Sequence, residues 1–369
     1  MSMHIGFRVD SGLHIGNGHL MRCLALAQAL IARKVRCYFL CRDFPGSAHQ
    51  LVLEAGCELG LLAPVDSDGA GTGDYRRWLG VTPARDRGEC LEWLRVWPSL
   101  DWLVVDHYAI DADWHRPMAA WVAKILVIDD LANRDYDCDL LLDQTYGRQA
   151  GSYRPRFDRT TTELLLGPEY ALLRPKFEYL HEAAKARRRQ PPGGGKILIS
   201  LGGVDAGNIT GRLLAALLPR LDAQRWQPVV VLADNSPHYA AVKALIDNAD
   251  IPVQLLVGVR DMAQLMLQCE LAIGAAGSST WERCCMGLPA LLLVTAANQK
   301  FLADHLAASG AVIGVFDDPG ADLAPAAKHL AATVADWSRY RRIAAAALDI
   351  CDGGGAGRVA QTMAAVEVG

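Results

Sequence analysis

The sequence lacks several features that would fix its class at once. Its ten cysteines form no CxxC pair, so neither a zinc ribbon nor a dithiol redox centre can be read from their spacing. Most stand in apolar surroundings, where cysteine behaves as a small hydrophobe, and reduced structural thiols are expected. No apolar run approaches the ~20 residues of a membrane span. No basic region followed by an apolar core opens the chain at "MSMHIGFRVDSG", as a secretory signal would require. Positive charge is not in excess: the formal net charge is −4 and the pI about 6.2. That balance argues against a chain-wide nucleic-acid or membrane-surface role. There is no HExxH, no Cys/His cluster, no low-complexity segment and no short repeat. The expectation is a cytoplasmic protein with no metal and no other cofactor.

What is present is apolar content, 51% of 369 residues, in short runs that alternate with helical patterns. "HIGFRV" (4–9), "RCYFLC" (36–41), "DWLVVDHY" (101–108), "AKILVIDD" (123–130) and "DLLLD" (139–143) read as strands. Near-continuous apolar runs of this kind belong to strands buried on both faces of a parallel sheet. Residues 19–33 read as a helix with Leu20, Cys23, Leu24, Ala27, Leu30 and Ile31 on one face, matching the 3.6-residue period. "EAAKARRRQPPGGG" (182–195) breaks the rhythm and reads as a linker, with Arg187, Arg188 and Arg189 as a solvated face. The alternation then restarts, from "KILISLGG" (196–203) to "LPALLLVT" (288–295).

This pattern predicts an α/β protein of two Rossmann-like domains. The N-terminal domain spans 1–181, the linker 182–195 and the C-terminal domain 196–369. The alanine-rich tail beyond about 320 supplies closing helices. Two such domains would face a cleft that gathers strand ends and helix N-termini. The architecture is compatible with a monomer.

Within "GNGHLMRCLALAQAL" (16–30), Gly16 and Gly18 lack the third glycine of a dinucleotide fingerprint, and no GK[ST] follows to make a P-loop. The stretch instead sets His19 at the first turn of a helix. A neutral histidine facing a cleft is a competent general base; a capping or core-edge histidine fits the same place. Arg22, one turn on, suits either an anion or the surface. "VVDHYAID" (104–111) puts Asp106, His107 and Tyr108 at the C-terminal end of a buried strand, where open α/β sheets place ligands.

The second half has its own candidates. "SLGGVDAGN" (200–208) closes a strand on Gly202 and Gly203, which lets backbone approach a ligand. "GAAGSSTWERCCMGLP" (274–289) runs from strand to turn to helix. There Ser278, Ser279 and Thr280 can cap the helix or hold a diphosphate. Glu282 can accept both hydroxyls of a ribose diol, although Ser279-x-x-Glu282 also has capping-box spacing. Asn298 and Gln299 of "TAANQKF" (295–301) suit sugar hydroxyls or amides, or a plain turn. "DCD" (137–139) and Asp129-Asp130 read as strand boundaries rather than metal ligands, and "DSDGAGTG" (66–73) as a variable loop.

Taken in order, "RVDSGLHIGNGHLMRCLALA", "VVDHYAID", "VIDDLANRDYDCDLLLDQ", "YALLRPKF", "SLGGVDAGN", "GAAGSSTWERCCMGLP" and "ANQ" resemble one family. It is the UDP-2,4-diacetamido-2,4,6-trideoxy-β-L-altropyranose hydrolases of pseudaminic acid biosynthesis. The resemblance covers roughly residues 4 to 315. That family is similar in fold to the GT-B glycosyltransferase that adds N-acetylglucosamine to lipid I. The resemblance implies a metal-independent UDP-sugar hydrolase. It implies that His19 deprotonates the water attacking the anomeric carbon, with inversion and loss of UDP. It implies that the Ser278–Thr280 turn holds the diphosphate and Glu282 the ribose, and that Tyr108 and Asn298 line the sugar site. The alternatives are a GT-B glycosyltransferase using a UDP-N-acetylhexosamine and a nonenzymatic UDP-sugar-binding protein.

Overall fold

The computed structural model describes residues 3–65, 74–157, 161–192, 194–202, 205, 207–233, 236–318, 320 and 322–366. The 66–73 loop and Gly203 fall outside these described residues. The chain forms two compact units, Met1–Pro175 with Gly354–Gly369, and Lys176–Gly353.

The first unit is a sheet of seven parallel strands. They are β1 (His4–Val9), β2 (Arg36–Arg42), β3 (Glu58–Leu62), β4 (Leu100–Asp106), β5 (Val122–Ile128), β6 (Leu140–Asp143) and β7 (Glu163–Leu166). Their order is β3-β2-β1-β4-β5-β6-β7. Its helices include α1 (Gly18–Ile31), α2 (Gln50–Glu54), α3 (Pro83–Leu94) and α4 (Ala112–Met118). β1 pairs on both sides, with Phe7 opposite Phe39 and Val104. Such a strand has no solvent face, which is why "HIGFRV" is apolar almost throughout. The chain reverses its direction of travel between β1 and β4, and ligands in open α/β sheets bind outside the strand ends at such a switch point.

The second unit has six parallel strands: β8 (Gly195–Ser200), β9 (Trp226–Leu232), β10 (Gln254–Val257), β11 (Cys269–Ala275), β12 (Ala290–Leu293) and β13 (Gly314–Phe316). Their order, β10-β9-β8-β11-β12-β13, puts the switch between β8 and β11. Its helices are α5 (Pro175–Arg187), α6 (Ile209–Leu217), α7 (Tyr239–Asp247), α8 (Met262–Gln268), α9 (Ser279–Cys285), α10 (Lys300–Ser309), α11 (Pro325–Ala335) and α12 (Trp337–Ile350). A last helix, α13 (Gly355–Ala365), returns to the first unit. There Val359, Ala360 and Met363 share a core with Leu24, Ala27 and Leu30 of α1.

Two expectations are corrected. The chain divides at Pro175 rather than across 182–195, because helix α5 already belongs to the second unit, and the C-terminal domain does not keep its last helix. Nor are Arg187 and Arg188 a solvated face. Arg187 pairs with buried Glu270. Arg188 is buried and donates to the carbonyls of Cys269 (2.8 Å), Met266 (3.1 Å) and Met286 (3.2 Å), which its planar fork reaches together. The tail does form helices, and all ten cysteines are free and buried. Among the described residues no helix is long and apolar enough to cross a membrane.

The first unit also carries an acid-labile residue. His115 of α4 is fully buried, and burial, aided by Arg134 and Arg116, pushes its pKa from 6.5 down to about 3. An unfolded chain therefore binds a proton below pH 6.5 that the folded chain refuses, so stability falls as pH drops through that window. Between pH 6.5 and 5 the loss is about 2 kcal/mol, at ~1.4 kcal/mol per pH unit. Urea unfolding at both pH values should show this extra loss in the wild type and not in His115→Gln. Parallel losses would mean His115 is protonated without cost.

Candidate functional site

The β1–α1 connection is fixed before it reaches His19. Gly16 takes a φ of 77°, a left-handed turn that glycine adopts without penalty. Its N–H donates to Gly12 O at 2.8 Å, and Leu13 N donates to Pro45 O at 3.1 Å. Beneath the connection lies a buried ionic network. Arg8 pairs with Asp10 and Asp86, both at 2.6 Å, and Arg42 bridges Asp86 (2.8 Å) and Glu89 (2.7 Å). Burial raises the Asp10 carboxyl, but Arg8 and His107 outweigh it and hold its pKa well below the ordinary range. His107 is thus spent inside: its Nε2 lies 3.3 Å from Asp10.

His19 enters α1 at its second residue. Its Nδ1 lies 2.6 Å from Oδ1 of Asp106, the last residue of β4. Asp106 is buried, and Arg22 donates to both its oxygens, Nε to Oδ2 at 2.6 Å and Nη2 to Oδ1 at 2.7 Å. Burial raises the Asp106 carboxyl, yet Arg22 and His19 together bring its pKa well below the carboxylate range. An ionised carboxylate only accepts, so Nδ1 carries a proton, and in the neutral imidazole the lone pair lies on Nε2. Arg22 Nη2 also lies 3.2 Å from Nδ1, but two donors cannot bond each other and the shorter Asp106 contact decides the tautomer. Nε2 makes no hydrogen bond to the described residues, and the side chain keeps 11% of its surface exposed. This is an oriented base of the kind that serves proton abstraction.

Arg22 is neither a free anion ligand nor a surface residue. Its third nitrogen, Nη1, is held by Asp130 at 2.6 Å. All three nitrogens are taken by carboxylates, and Arg22 positions Asp106. Asp130 also accepts from the Tyr108 hydroxyl at 2.7 Å, so "DD" is more than a strand boundary. The Tyr108 ring stands edge-on to the His19 ring at 4.6 Å, and Trp78 does so at 5.9 Å. Trp78 lies over Tyr108 at 5.5 Å, with Tyr75 beside both. Trp78 lies in a short 3₁₀ turn with no period to read, so no sequence pattern marks it. These rings make an apolar wall that lowers the local dielectric around the base.

In the second unit, the candidates gather at the end of β11. Ser278 is the residue before α9 and makes no side-chain capping bond. Ser279 is the first residue of α9 rather than its cap, and its Oγ accepts from Arg283 Nη1 at 3.0 Å. Thr280 Oγ1 accepts from Arg283 Nη2 at 3.0 Å. Gln299 is corrected in part: its Oε1 closes a local turn, accepting from Thr295 N at 2.9 Å. Asn298 beside it is half-buried, as is Glu282. In the 200–208 stretch, Asp205 accepts from Ile209 N (2.8 Å) and Thr210 N (2.9 Å), and Asn208 from Gly211 N (3.2 Å). Among the described residues no group of three or more His, Cys, Asp or Glu is placed to hold a metal ion.

No family model matches the chain. The spore coat polysaccharide biosynthesis protein SpsG of Bacillus subtilis (strain 168) is 26% identical over 317 residues, 84% of this chain and 83% of that protein. The uncharacterized protein MJ1062 of Methanocaldococcus jannaschii is 21% identical over 296 residues, 79% of this chain and 55% of that protein. Among solved structures, MurG of Acinetobacter baumannii aligns with a TM-score of 0.65 at 16% identity, covering 98% of this chain and 99% of that one. The calicheamicin glycosyltransferase CalG4 aligns with a TM-score of 0.66 at 16% identity, covering 99% and 98%. The chain has the fold of the GT-B glycosyltransferases, two parallel-sheet α/β units.

Proposed function

We propose that the protein hydrolyses a UDP-linked diacetamido-trideoxy sugar, UDP-2,4-diacetamido-2,4,6-trideoxy-β-L-altropyranose, as its sequence resemblance implies. The observation that carries the hydrolytic reading is the His19–Asp106 pair. The pair supplies the base that a hydroxyl nucleophile needs, and the sequence resemblance makes that nucleophile water. Nε2 of His19 takes the proton of a water molecule as its oxygen bonds to the anomeric carbon. The anomeric C–O bond breaks, its electron pair leaves with UDP, and the configuration inverts. Asp106 holds the imidazole in the productive tautomer and offsets the charge it acquires. The second unit holds UDP, with the Ser278–Thr280 turn toward the diphosphate, Glu282 toward the ribose and Asn298 toward the sugar. Donors fixed there offset the charge growing on the leaving diphosphate. The likeness to SpsG, a polysaccharide biosynthesis protein, agrees with a nucleotide-sugar substrate.

Proton NMR with this UDP-sugar in oxygen-18 water, with chelator present, tests the reading. Free sugar carrying the label is expected. Replacing His19 by asparagine should abolish turnover and leave UDP affinity intact. Label in UDP would mean attack at phosphorus and would remove His19 from its role. UDP binding without turnover would favour a transferase lacking its acceptor.

A further inference from the structure

The buried arginines of this chain are not alike. Arg8, Arg22 and Arg42 each face carboxylates at 2.6–2.8 Å. Arg188 has Glu270 at 3.6 Å as well as its carbonyls. Arg283 is equally buried, yet among the described residues no carboxylate pairs with it. Its acceptors are neutral: Ala275 O at 2.6 Å, Ser279 Oγ at 3.0 Å and Thr280 Oγ1 at 3.0 Å. Among the described residues its Nε has no hydrogen-bond partner. Burial pushes its pKa from 12.5 down to about 10, with Cys284 and Glu282 opposing the fall, so it stays charged at neutral pH. A buried cation without a counter-ion is costly and calls for a compensating anion.

The geometry also sets what the two hydroxyls can do. A hydroxyl has one proton and two lone pairs. Ser279 and Thr280 each give a lone pair to the guanidinium, and neither donates to a described residue. The half-buried Ser279 can turn its proton to an acceptor from outside the chain, whereas buried Thr280 braces the guanidinium from inside. Gly274 of β11 allows the arrangement, since a Cβ there would sit 2.4 Å from Arg283 Nη1 and 2.9 Å from Ser200 O.

We propose that Arg283 is a positioning residue and fixed counter-charge for the diphosphate of the nucleotide, acting through the hydroxyl of Ser279 while Thr280 holds the guanidinium in place. The proposal rests on the reading of the second unit as the UDP site. It makes phosphate affinity depend on a residue that does not itself touch phosphate.

Calorimetric titration with UDP, uridine and inorganic pyrophosphate tests it, using the full-length wild type, Arg283→Met, Arg283→Lys and the double variant Ser279→Ala/Thr280→Val. For Arg283→Met, UDP and pyrophosphate affinities should fall roughly 10- to 100-fold, the range for losing hydrogen bonds to a charged group, while uridine affinity holds. Lysine should recover part of the loss. The double variant keeps the arginine and should show a similar loss, so the proposal stays testable if Arg283→Met fails to fold. Wild-type UDP affinity in Arg283→Met or in the double variant overturns the proposal. A wild type that binds pyrophosphate but not UDP overturns the nucleotide reading and leaves Arg283 as an anion-site residue. A wild type that binds none of the three overturns both.

Discussion

Asp106→Asn is expected to lower kcat roughly 10²- to 10⁴-fold, the scale of losing an oriented general base, with UDP affinity unchanged. Asp106 Oδ1 faces His19 Nδ1 and Arg22 Nη2, and Oδ2 faces Arg22 Nε. An asparagine must put its NH₂ group at one of these positions. Opposite His19 it forces the proton onto Nε2 and destroys the base. Opposite Arg22 it sets donor against donor, and the negative charge that stabilises an imidazolium is gone in either case. Arg22 keeps Asp130 at 2.6 Å, so the fold should survive, and a melting curve alongside the kinetics checks that it does. Because Asp106 is held far below the carboxylate range, it stays ionised throughout the assay range. A kcat within fivefold of wild type would mean that the Asp106 bond does not orient the base.

The parts of this molecule that are legible in its sequence are those where one residue type answers one physical demand. Central strands are buried on both faces, and "LVV" and "ILVI" show it as unbroken apolar runs. β3, β7 and β13 sit at sheet edges and are partly exposed, and their short stretches carry no strand pattern distinct from the loops around them. His19 and Asp106 were legible because a glycine turn and a strand end mark the switch point of an open sheet. Their pairing was not, since 87 residues separate them and only the β1–β4 pairing brings them together. Arg22 reads from sequence as an anion ligand or a surface residue, and Arg283 as one charged helix residue among others. Burial made the first a clamp on Asp106 and left the second without a counter-ion, and no local pattern records either.

The return of α13 was equally hidden, because its alanines look like those of α11 and α12. Gly355→Val should expose that return by destabilising a unit whose other segment ends at Pro175, 180 positions earlier. A Cβ at Gly355 would lie 2.4 Å from Ala171 O, 2.5 Å from Ala171 N and 2.5 Å from Tyr170 C. All three are backbone atoms and cannot rotate away, so the helix itself must move. Overpacking costs 1–3 kcal/mol where side chains can adjust; here about 3 kcal/mol or more is expected. The movement would break the bonds from Trp102 Nε1 to Met363 O (3.2 Å) and from Arg358 Nη1 to Glu169 O (2.6 Å). It would also uncover Leu24, Ala27 and Leu30 of α1, the helix that carries His19. Hydrogen exchange resolved by peptide should show lost protection in α1, β4 and the 163–173 segment, with residues 196–350 unchanged. Lost protection in the second unit instead would mean that α13 belongs there, as the sequence pattern had suggested.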